Sequence, residues 1–80
     1  MLELYIKTGC PYCQKVIDFA GREHITLTLR NIADPEILKE LLRRGGKQQV
    51  PFLVDEQRHV SLYESDDIIT YIQKQYNWMG

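Results

Sequence analysis

The sequence has few of the compositional features that directly indicate a structural or functional class of protein. Its 80 residues include two cysteines, three prolines and one tryptophan. No apolar run approaches the ~20 residues that a helix needs to cross a bilayer, so we predict no membrane association. Neither charge dominates, because ten lysines and arginines balance eleven aspartates and glutamates for a formal net charge of -1. This balance provides no basic surface for nucleic acid or anionic lipid, and we predict neither as a partner.

Targeting and low-complexity segments are also missing. The first residues alternate apolar and polar side chains and lack the basic region and long apolar run of a signal peptide. The default prediction is therefore a cytoplasmic protein, in a compartment where structural disulfides are rare. No repeat or linker is evident. The length suits one small domain over residues 1–80, which we expect to be a monomer.

The apolar pattern of the first half predicts a strand–helix–strand unit. Residues 1–7 alternate apolar and polar side chains, which predicts a strand. A helix begins at Pro11, because proline suits a first helical position, and Gly21 is its predicted stop. The β-rich residues 25–32 form a second strand. Such a crossover is right-handed, so the two strands are expected to be parallel.

The second half predicts a helix, a hairpin and a final helix. Asp34 caps a helix that stops at the Gly45-Gly46 pair. Residues 52–54 and 58–62 form two short strands around a polar turn. Ser65 caps the last helix. The buried stripe of that helix consists of Ile68, Ile69, Ile72 and Tyr76. The predicted order is β-α-β-α-β-β-α, an α/β fold with parallel and antiparallel strands.

Both cysteines lie in the segment TGCPYCQK, residues 8–15. Cys10 directly precedes the predicted helix, where unpaired N–H groups and the positive helix end favour a thiolate, as does nearby Lys7. Such positions lower a cysteine pKa from about 8.5 into the range of about 3.5–7.5. Cys13 lies one turn further on the same face, and this spacing of ~5–6 Å between Cβ atoms is close to what a disulfide requires. The pattern indicates that Cys10 is an exposed nucleophile and that Cys13 is a buried resolving thiol.

A structural disulfide and a zinc site are the alternatives for this pair. A disulfide across two intervening residues removes little chain entropy, so it would stabilise the fold weakly. Zinc usually takes four ligands at close spacings, whereas His24 and His59 are isolated histidines. We therefore favour a redox role for Cys10 and Cys13, and we predict no metal site.

The Gln49-Val50-Pro51 segment is the second unusual feature. Pro51 precedes a strand that should pair centrally, where proline is disfavoured. Taken alone, the pattern favours a trans bond, because only ~5–6% of X–Pro bonds are cis. A cis Val50–Pro51 bond would explain the position, since it would turn the Val50 backbone outward to pair with an extended peptide.

Together these segments resemble the glutaredoxin family, which has the thioredoxin fold. The resemblance rests on Cys10-Pro11-Tyr12-Cys13, on Val50-Pro51 before a hairpin, and on a capped final helix. The stretches 47–51 and 63–65 are most similar to the glutathione-transferase-like branch. In contrast to other dithiol glutaredoxins, Leu62-Tyr63 stand near the usual Gly-Gly pair, and Gln49 replaces a threonine. The resemblance implies a four-stranded mixed sheet flanked by helices.

The resemblance also implies a glutathione site, with glutathione as co-substrate and no tightly bound cofactor. Lys7, assisted by Gln48, would meet the glycine carboxylate. Tyr12 would flank the tripeptide, and the Val50 backbone would pair with its cysteinyl unit. The helix start at Ser65 would bind the γ-glutamyl carboxylate, and Glu64 the γ-glutamyl ammonium. The implied binding residues are Lys7, Pro11, Tyr12, Gln48, Gln49, Val50, Pro51, Glu64 and Ser65.

The function predicted from the residues and the resemblance is a glutathione-dependent thiol-disulfide oxidoreductase. It would act in electron transport and cell redox homeostasis, and its partners would be glutathione and glutathionylated or disulfide-containing proteins. Three alternatives stay open. They are an electron carrier recharged by thioredoxin reductase, an iron–sulfur cluster carrier that uses Cys10 and glutathione, and a glutathione-transferase fragment that would need a helical domain.

Overall fold

The computed structural model describes residues 2–76, without the side chain of Tyr76. The predicted burial of Tyr76 and the place of Met1 in the first strand therefore lie outside the described residues. The seven elements are β1 Leu2–Ile6, α1 Pro11–Arg22, β2 Leu27–Asn31, α2 Pro35–Gly45, β3 Phe52–Asp55, β4 Val60–Tyr63 and α3 Ser65–Tyr76. Their order confirms the predicted β-α-β-α-β-β-α arrangement. Within the described residues, no helix is both long and apolar enough to cross a membrane.

The four strands form one mixed sheet in the order β2-β1-β3-β4. β1 is parallel to β2 and antiparallel to β3, and β3 is antiparallel to β4. Leu4 lies between Leu29 of β2 and Leu53 of β3 in this register. The parallel crossover and the terminal hairpin predicted from the sequence are thus both present.

Each face of the sheet has its own apolar cluster. Because side chains alternate along a strand, Leu4 and Tyr5 of β1 enter different clusters. The cluster under α1 and α3 contains Leu2, Leu4, Val16, Phe19, Leu53, Ile68 and Ile72. The cluster under α2 contains Tyr5, Leu41, Phe52 and Val54. Hydrophobic burial therefore fixes the starts of α1 and α3 on one side of the sheet and α2 on the other.

Polar contacts hold the carboxyl end of α2 against the sheet. The Arg44 guanidinium donates to Glu3 at 3.2 Å and to the Tyr5 hydroxyl at 3.1 Å. Gly46 follows in the left-handed conformation, with φ of 85°, and its N–H donates to the Leu42 carbonyl. This confirms the predicted helix end and determines where the next loop starts.

Besides the connection between β2 and α2, three connections meet at one end of the sheet. β1 and β4 end there, and the antiparallel β3 begins there, since Tyr5, Phe52 and Tyr63 are neighbours in the register. The connections are residues 7–10 after β1, residues 46–51 before β3, and Glu64 between β4 and α3. Both cysteines and the Val50–Pro51 segment are consequently brought together.

Several predicted boundaries were wrong. Gly21 lies inside α1, and His24 takes the left-handed conformation after the helix, with φ of 58°. The Ile25 N–H donates to the Ala20 carbonyl, so Ile25 belongs to this turn and β2 starts later. The hairpin turn covers 56–59, so the predicted strand start at 58 was too early.

Candidate functional site

Cys10 occupies the cap position of α1. Its backbone is extended, with φ of -86° and ψ of 112°, and its carbonyl accepts the first helical hydrogen bond, from Gln14. Pro11 starts the helix without needing a backbone donor. The Cys13 N–H, one of the free donors of the first turn, donates to the Cys10 Sγ at 3.3 Å. The half-buried sulfur thus lies at the positive helix end.

The surroundings of Cys10 favour its thiolate. Partial burial alone would raise the pKa of Cys10, but hydrogen bonds from the Cys13 thiol and from the backbone of Cys13 and Tyr12 outweigh it. The Lys7 charge also lowers this pKa and is the smallest of these effects. The net pKa of Cys10 lies below its ordinary value, as predicted, but hydrogen bonds contribute more than Lys7.

Cys13 has the opposite character. Its side chain is 1% exposed, and burial, together with its hydrogen bond to Cys10 and the Cys10 charge, raises its pKa to about 12. Both cysteines are free and not joined in a disulfide. The pair therefore consists of one accessible, acidic sulfur and one inaccessible sulfur that keeps its proton.

Two depressions flank the first turn of α1. The Lys7 depression, about 500 Å³, lies on the side of β1 and α1 and is lined by Ile6, Lys7, Thr8, Gly9, Cys10, Pro11, Cys13, Gln14 and Ile17. The Pro51 depression, about 420 Å³, lies on the side of α3 and is lined by Tyr12, Gln49, Val50, Pro51, Glu64, Ser65 and Asp66. Cys10 lines the Lys7 depression, and the exposed Tyr12, two residues later, lines the Pro51 depression.

The structure divides the predicted glutathione residues between these depressions. Lys7 and Pro11 line the first, whereas Gln48 is exposed and lines neither. The residues found together in the Pro51 depression are Tyr12, Gln49, Val50, Pro51, Glu64 and Ser65. Lys7 and Glu64 thus give the two depressions opposite charges, which suits a ligand that carries both.

The wall formed by residues 49–51 has features that the sequence only partly indicated. The Val50–Pro51 bond is cis, the less frequent of the two predicted possibilities. The Gln49 amide donates to the Glu64 carboxylate at 3.0 Å, across the Pro51 depression. Glu64 itself has φ of 72°, and its carbonyl accepts from Ile68, so Ser65 is the first helical residue and not the cap.

Two residues of the site were not predicted from the sequence. Asp66 lines the Pro51 depression and pairs with Lys15 of α1, although its place in the first turn of α3 beside Ser65 was a usable signal. Tyr63 contacts the loop before Gln49, and no pattern in the sequence indicated this. Among residues 2–76, no group of three His, Cys, Asp or Glu side chains is placed to hold a metal ion.

The fold and the cysteine site define a thioredoxin-like domain, and comparison with known families identifies its branch. The sequence matches the glutathione S-transferase, N-terminal domain, family over residues 4–78. Because this match covers nearly the whole chain, the protein belongs to that family. A search of curated proteins finds no match.

Solved glutathione transferases have the same architecture. The enzyme of the Antarctic clam Laternula elliptica is 25% identical with a TM-score of 0.79, over 95% of this chain and 35% of its own. Human glutathione transferase theta-2, in complex with glutathione and an unknown ligand, is 28% identical with a TM-score of 0.81, over 96% and 32%. A Methylobacillus flagellatus enzyme with glutathione bound is 25% identical with a TM-score of 0.77, over 94% and 37%. The chain thus spans about a third of the length of these relatives.

Proposed function

We propose that this domain is a glutathione-dependent thiol-disulfide oxidoreductase of the glutaredoxin type. The observation that carries the proposal is the unequal cysteine pair at the start of α1. Cys10 is accessible and has a lowered pKa, whereas Cys13 is buried and has a pKa of about 12. Glutathione as co-substrate is supported by the family match and by the relatives that bind it.

Reduction of a glutathionylated substrate needs only Cys10. Its thiolate attacks the glutathionyl sulfur of the mixed disulfide, which forms a Cys10–glutathione disulfide and expels the substrate thiolate. A second glutathione thiolate then attacks the glutathionyl sulfur and releases glutathione disulfide and the Cys10 thiolate. A low-pKa thiol is a good leaving group, so the lowered pKa of Cys10 accelerates this second step.

Reduction of a protein disulfide also needs Cys13. Cys10 attacks one substrate sulfur and expels the other as a thiolate. Cys13 then loses its proton and attacks the Cys10 sulfur, which gives a Cys10–Cys13 disulfide and a reduced substrate; two glutathione molecules reduce that disulfide. The Cys10 charge, which helps to raise the pKa of Cys13, is absent in the mixed disulfide, so Cys13 deprotonates more readily there.

Glutathione is placed across the first turn of α1, with its sulfur at Cys10. The γ-glutamyl end lies in the Pro51 depression, where the Glu64 carboxylate receives its ammonium and the start of α3 receives its carboxylate. Lys7 receives the glycine carboxylate on the other side. Gln48 is exposed and lines neither depression, so this placement gives it no contact with the ligand.

Glutathione conjugation to an electrophile is the second candidate, and the family match favours it. In a conjugation reaction the domain would activate the thiol of glutathione for attack on carbon, and neither cysteine would form a disulfide. Both candidates use a bound glutathione, so they differ in what happens at Cys10.

Substitution of each cysteine tests the oxidoreductase. Oxidation of NADPH is followed with glutathione, glutathione reductase and a small glutathione mixed disulfide. Cys10→Ser should abolish turnover because it removes the attacking sulfur, and Cys13→Ser should keep it while losing much of the reduction of protein disulfides. An equal loss in both variants would contradict these roles. Conjugation to 1-chloro-2,4-dinitrobenzene that survives Cys10→Ser, without any reduction by the parent protein, would favour the second candidate.

A further inference from the structure

Tyr63, the last residue of β4, connects two parts of the chain that face each other across the Pro51 depression. Its ring packs on Phe52 with centroids 4.4 Å apart. Its hydroxyl accepts from the Lys47 N–H at 3.1 Å and donates to the Lys47 carbonyl at 2.9 Å. The Tyr63 hydroxyl thus forms hydrogen bonds with both backbone polar groups of Lys47.

Gly45 makes this contact possible. A Cβ at this position would overlap the Tyr63 hydroxyl and would lie 2.9 Å from the Phe52 ring. Of the two adjacent glycines, Gly46 has the left-handed backbone that ends α2. Gly45 is needed for a different reason, which is space for the Tyr63 ring. The absence of a side chain at Gly45 lets the Tyr63 ring reach the loop.

A second link lies beside the first. Glu64 follows Tyr63 directly, and its carboxylate accepts from Gln49, two residues after Lys47. The Lys47 ammonium also lies 5.5 Å from the centroid of the Tyr63 ring, within range of a cation–π contact. Residues 47–51, called here the 47–51 segment, are therefore attached to the β4–α3 connection at successive points.

We propose that Tyr63 is a positioning residue for glutathione, because its hydroxyl fixes the 47–51 segment as one wall of the Pro51 depression. The other wall, Glu64 to Asp66, starts at the next residue of the chain. A fixed segment presents Val50 and Gln49 in the geometry that the ligand needs, so binding does not have to order it first. This inference rests on the proposed use of glutathione and concerns binding, not the chemistry at Cys10.

Tyr63→Phe tests the inference with the loss of one oxygen atom and leaves the ring on Phe52. The dissociation constant for S-methylglutathione, which cannot exchange disulfides, is measured by calorimetry. We expect it to rise about fivefold, equivalent to ~1 kcal/mol, which is part of the stabilisation by the two hydrogen bonds that the hydroxyl makes. The KM for glutathione should rise similarly, whereas kcat and the pH midpoint of Cys10 alkylation should stay unchanged. Exchange of the Lys47 amide proton should accelerate.

Tyr71→Phe is the matched control, because it removes a hydroxyl that donates to Asp55 at 2.7 Å, outside the Pro51 depression. Its affinity for S-methylglutathione should equal that of the parent protein. Gly45→Ala provides an independent variant, since it displaces the Tyr63 ring without altering the hydroxyl, and it should weaken affinity at least as much as Tyr63→Phe.

Four outcomes would overturn the positioning role. They are unchanged affinity in Tyr63→Phe, an equal loss of affinity in Tyr71→Phe, a shift of the Cys10 midpoint, and no binding of S-methylglutathione by the parent protein. Binding without turnover in the parent protein would refute the proposed oxidoreductase alone. In that case, the ratio of the dissociation constants of Tyr63→Phe and the parent protein for S-methylglutathione still tests the role of Tyr63.

Discussion

Cys10 and Cys13 are three residues apart, yet their environments give them opposite properties. The hydrogen bond between the two thiols lowers the pKa of Cys10 and raises that of Cys13, after burial has raised both. In the first turn of α1, the Cys13 N–H also donates to the Cys10 sulfur at the cap position. One helical turn therefore separates a sulfur with a lowered pKa from a sulfur with a raised pKa.

The relative sizes of the effects on the Cys10 pKa predict how the alkylation rate of Cys10 depends on pH. Thiolates react with iodoacetamide and thiols do not, so the lowered pKa of Cys10 moves the rise in its alkylation rate below the ordinary midpoint of about 8.5. Cys13→Ala removes the thiol that donates to Cys10 and should move the midpoint back up. Lys7→Ala should move it up by less, because the Lys7 charge is the smaller effect.

Stopped-flow alkylation of the parent protein and both variants measures this difference. Mass spectrometry of the parent protein and the Lys7→Ala variant should find one label, on Cys10, since Cys13 is buried and its pKa is raised to about 12. A larger shift in Lys7→Ala than in Cys13→Ala would show that charge, rather than hydrogen bonding, controls the thiolate.

At the scale of elements, the sequence predicted which helices and strands exist better than where they end. Apolar spacing identified the faces that pack, and the burial of Ile68 and Ile72 confirms it. It could not show that His24, and not Gly21, takes the left-handed conformation after α1, because either residue can do so. The need for glycine at position 45 could not be predicted from the local sequence. It depends on the contact with Tyr63, which is eighteen positions away.

Two glycines with different backbones should respond oppositely to alanine. Gly46 ends α2 with φ of 85°, so Gly46→Ala should lower the free energy of unfolding by about 1 kcal/mol. Gly21 lies inside α1, and among residues 2–76 no atom outside the adjacent helix backbone comes within 4 Å of the place that an alanine Cβ would take. Gly21→Ala should therefore raise that free energy by about 0.5 kcal/mol. Urea denaturation followed by circular dichroism measures both, and a stabilising Gly46→Ala would contradict the assigned helix end.

At the scale of the molecule, the relation between site residues in one segment could be predicted from the sequence. The arrangement of site residues from distant segments could not. Cys10 and Cys13 belong to one helical turn, so their relation follows from spacing alone. The separation of Lys7 from Glu64 depends on the strand order, because Lys7 follows β1, Glu64 follows β4, and β3 lies between these two strands. The cis Val50–Pro51 bond similarly became evident only with the whole fold.

The monomeric state stays a prediction, and the exposed apolar residues are the reason to test it. In the described part of the chain, the large exposed apolar residues are Tyr12, Leu29 and Leu42, which lie on α1, the edge strand β2 and α2. Stable dimers bury about 1,200–2,000 Å² around a contiguous apolar centre, which three scattered side chains do not provide. Light scattering after size exclusion should give the mass of one chain across a hundredfold range of concentration. A mass that doubles at high concentration would contradict this prediction.

The position of β1 in the middle of the sheet has a consequence for how the protein is made. β1 is translated before both of its neighbours, and one of its edges pairs with residues 27–31 while the other pairs with residues 52–55. On the ribosome, the second edge of this apolar strand therefore stays unpaired until β3 has emerged. Unpaired strand edges attract other chains, so the nascent protein is most exposed to aggregation, and to chaperones, before the β3–β4 hairpin closes over β1.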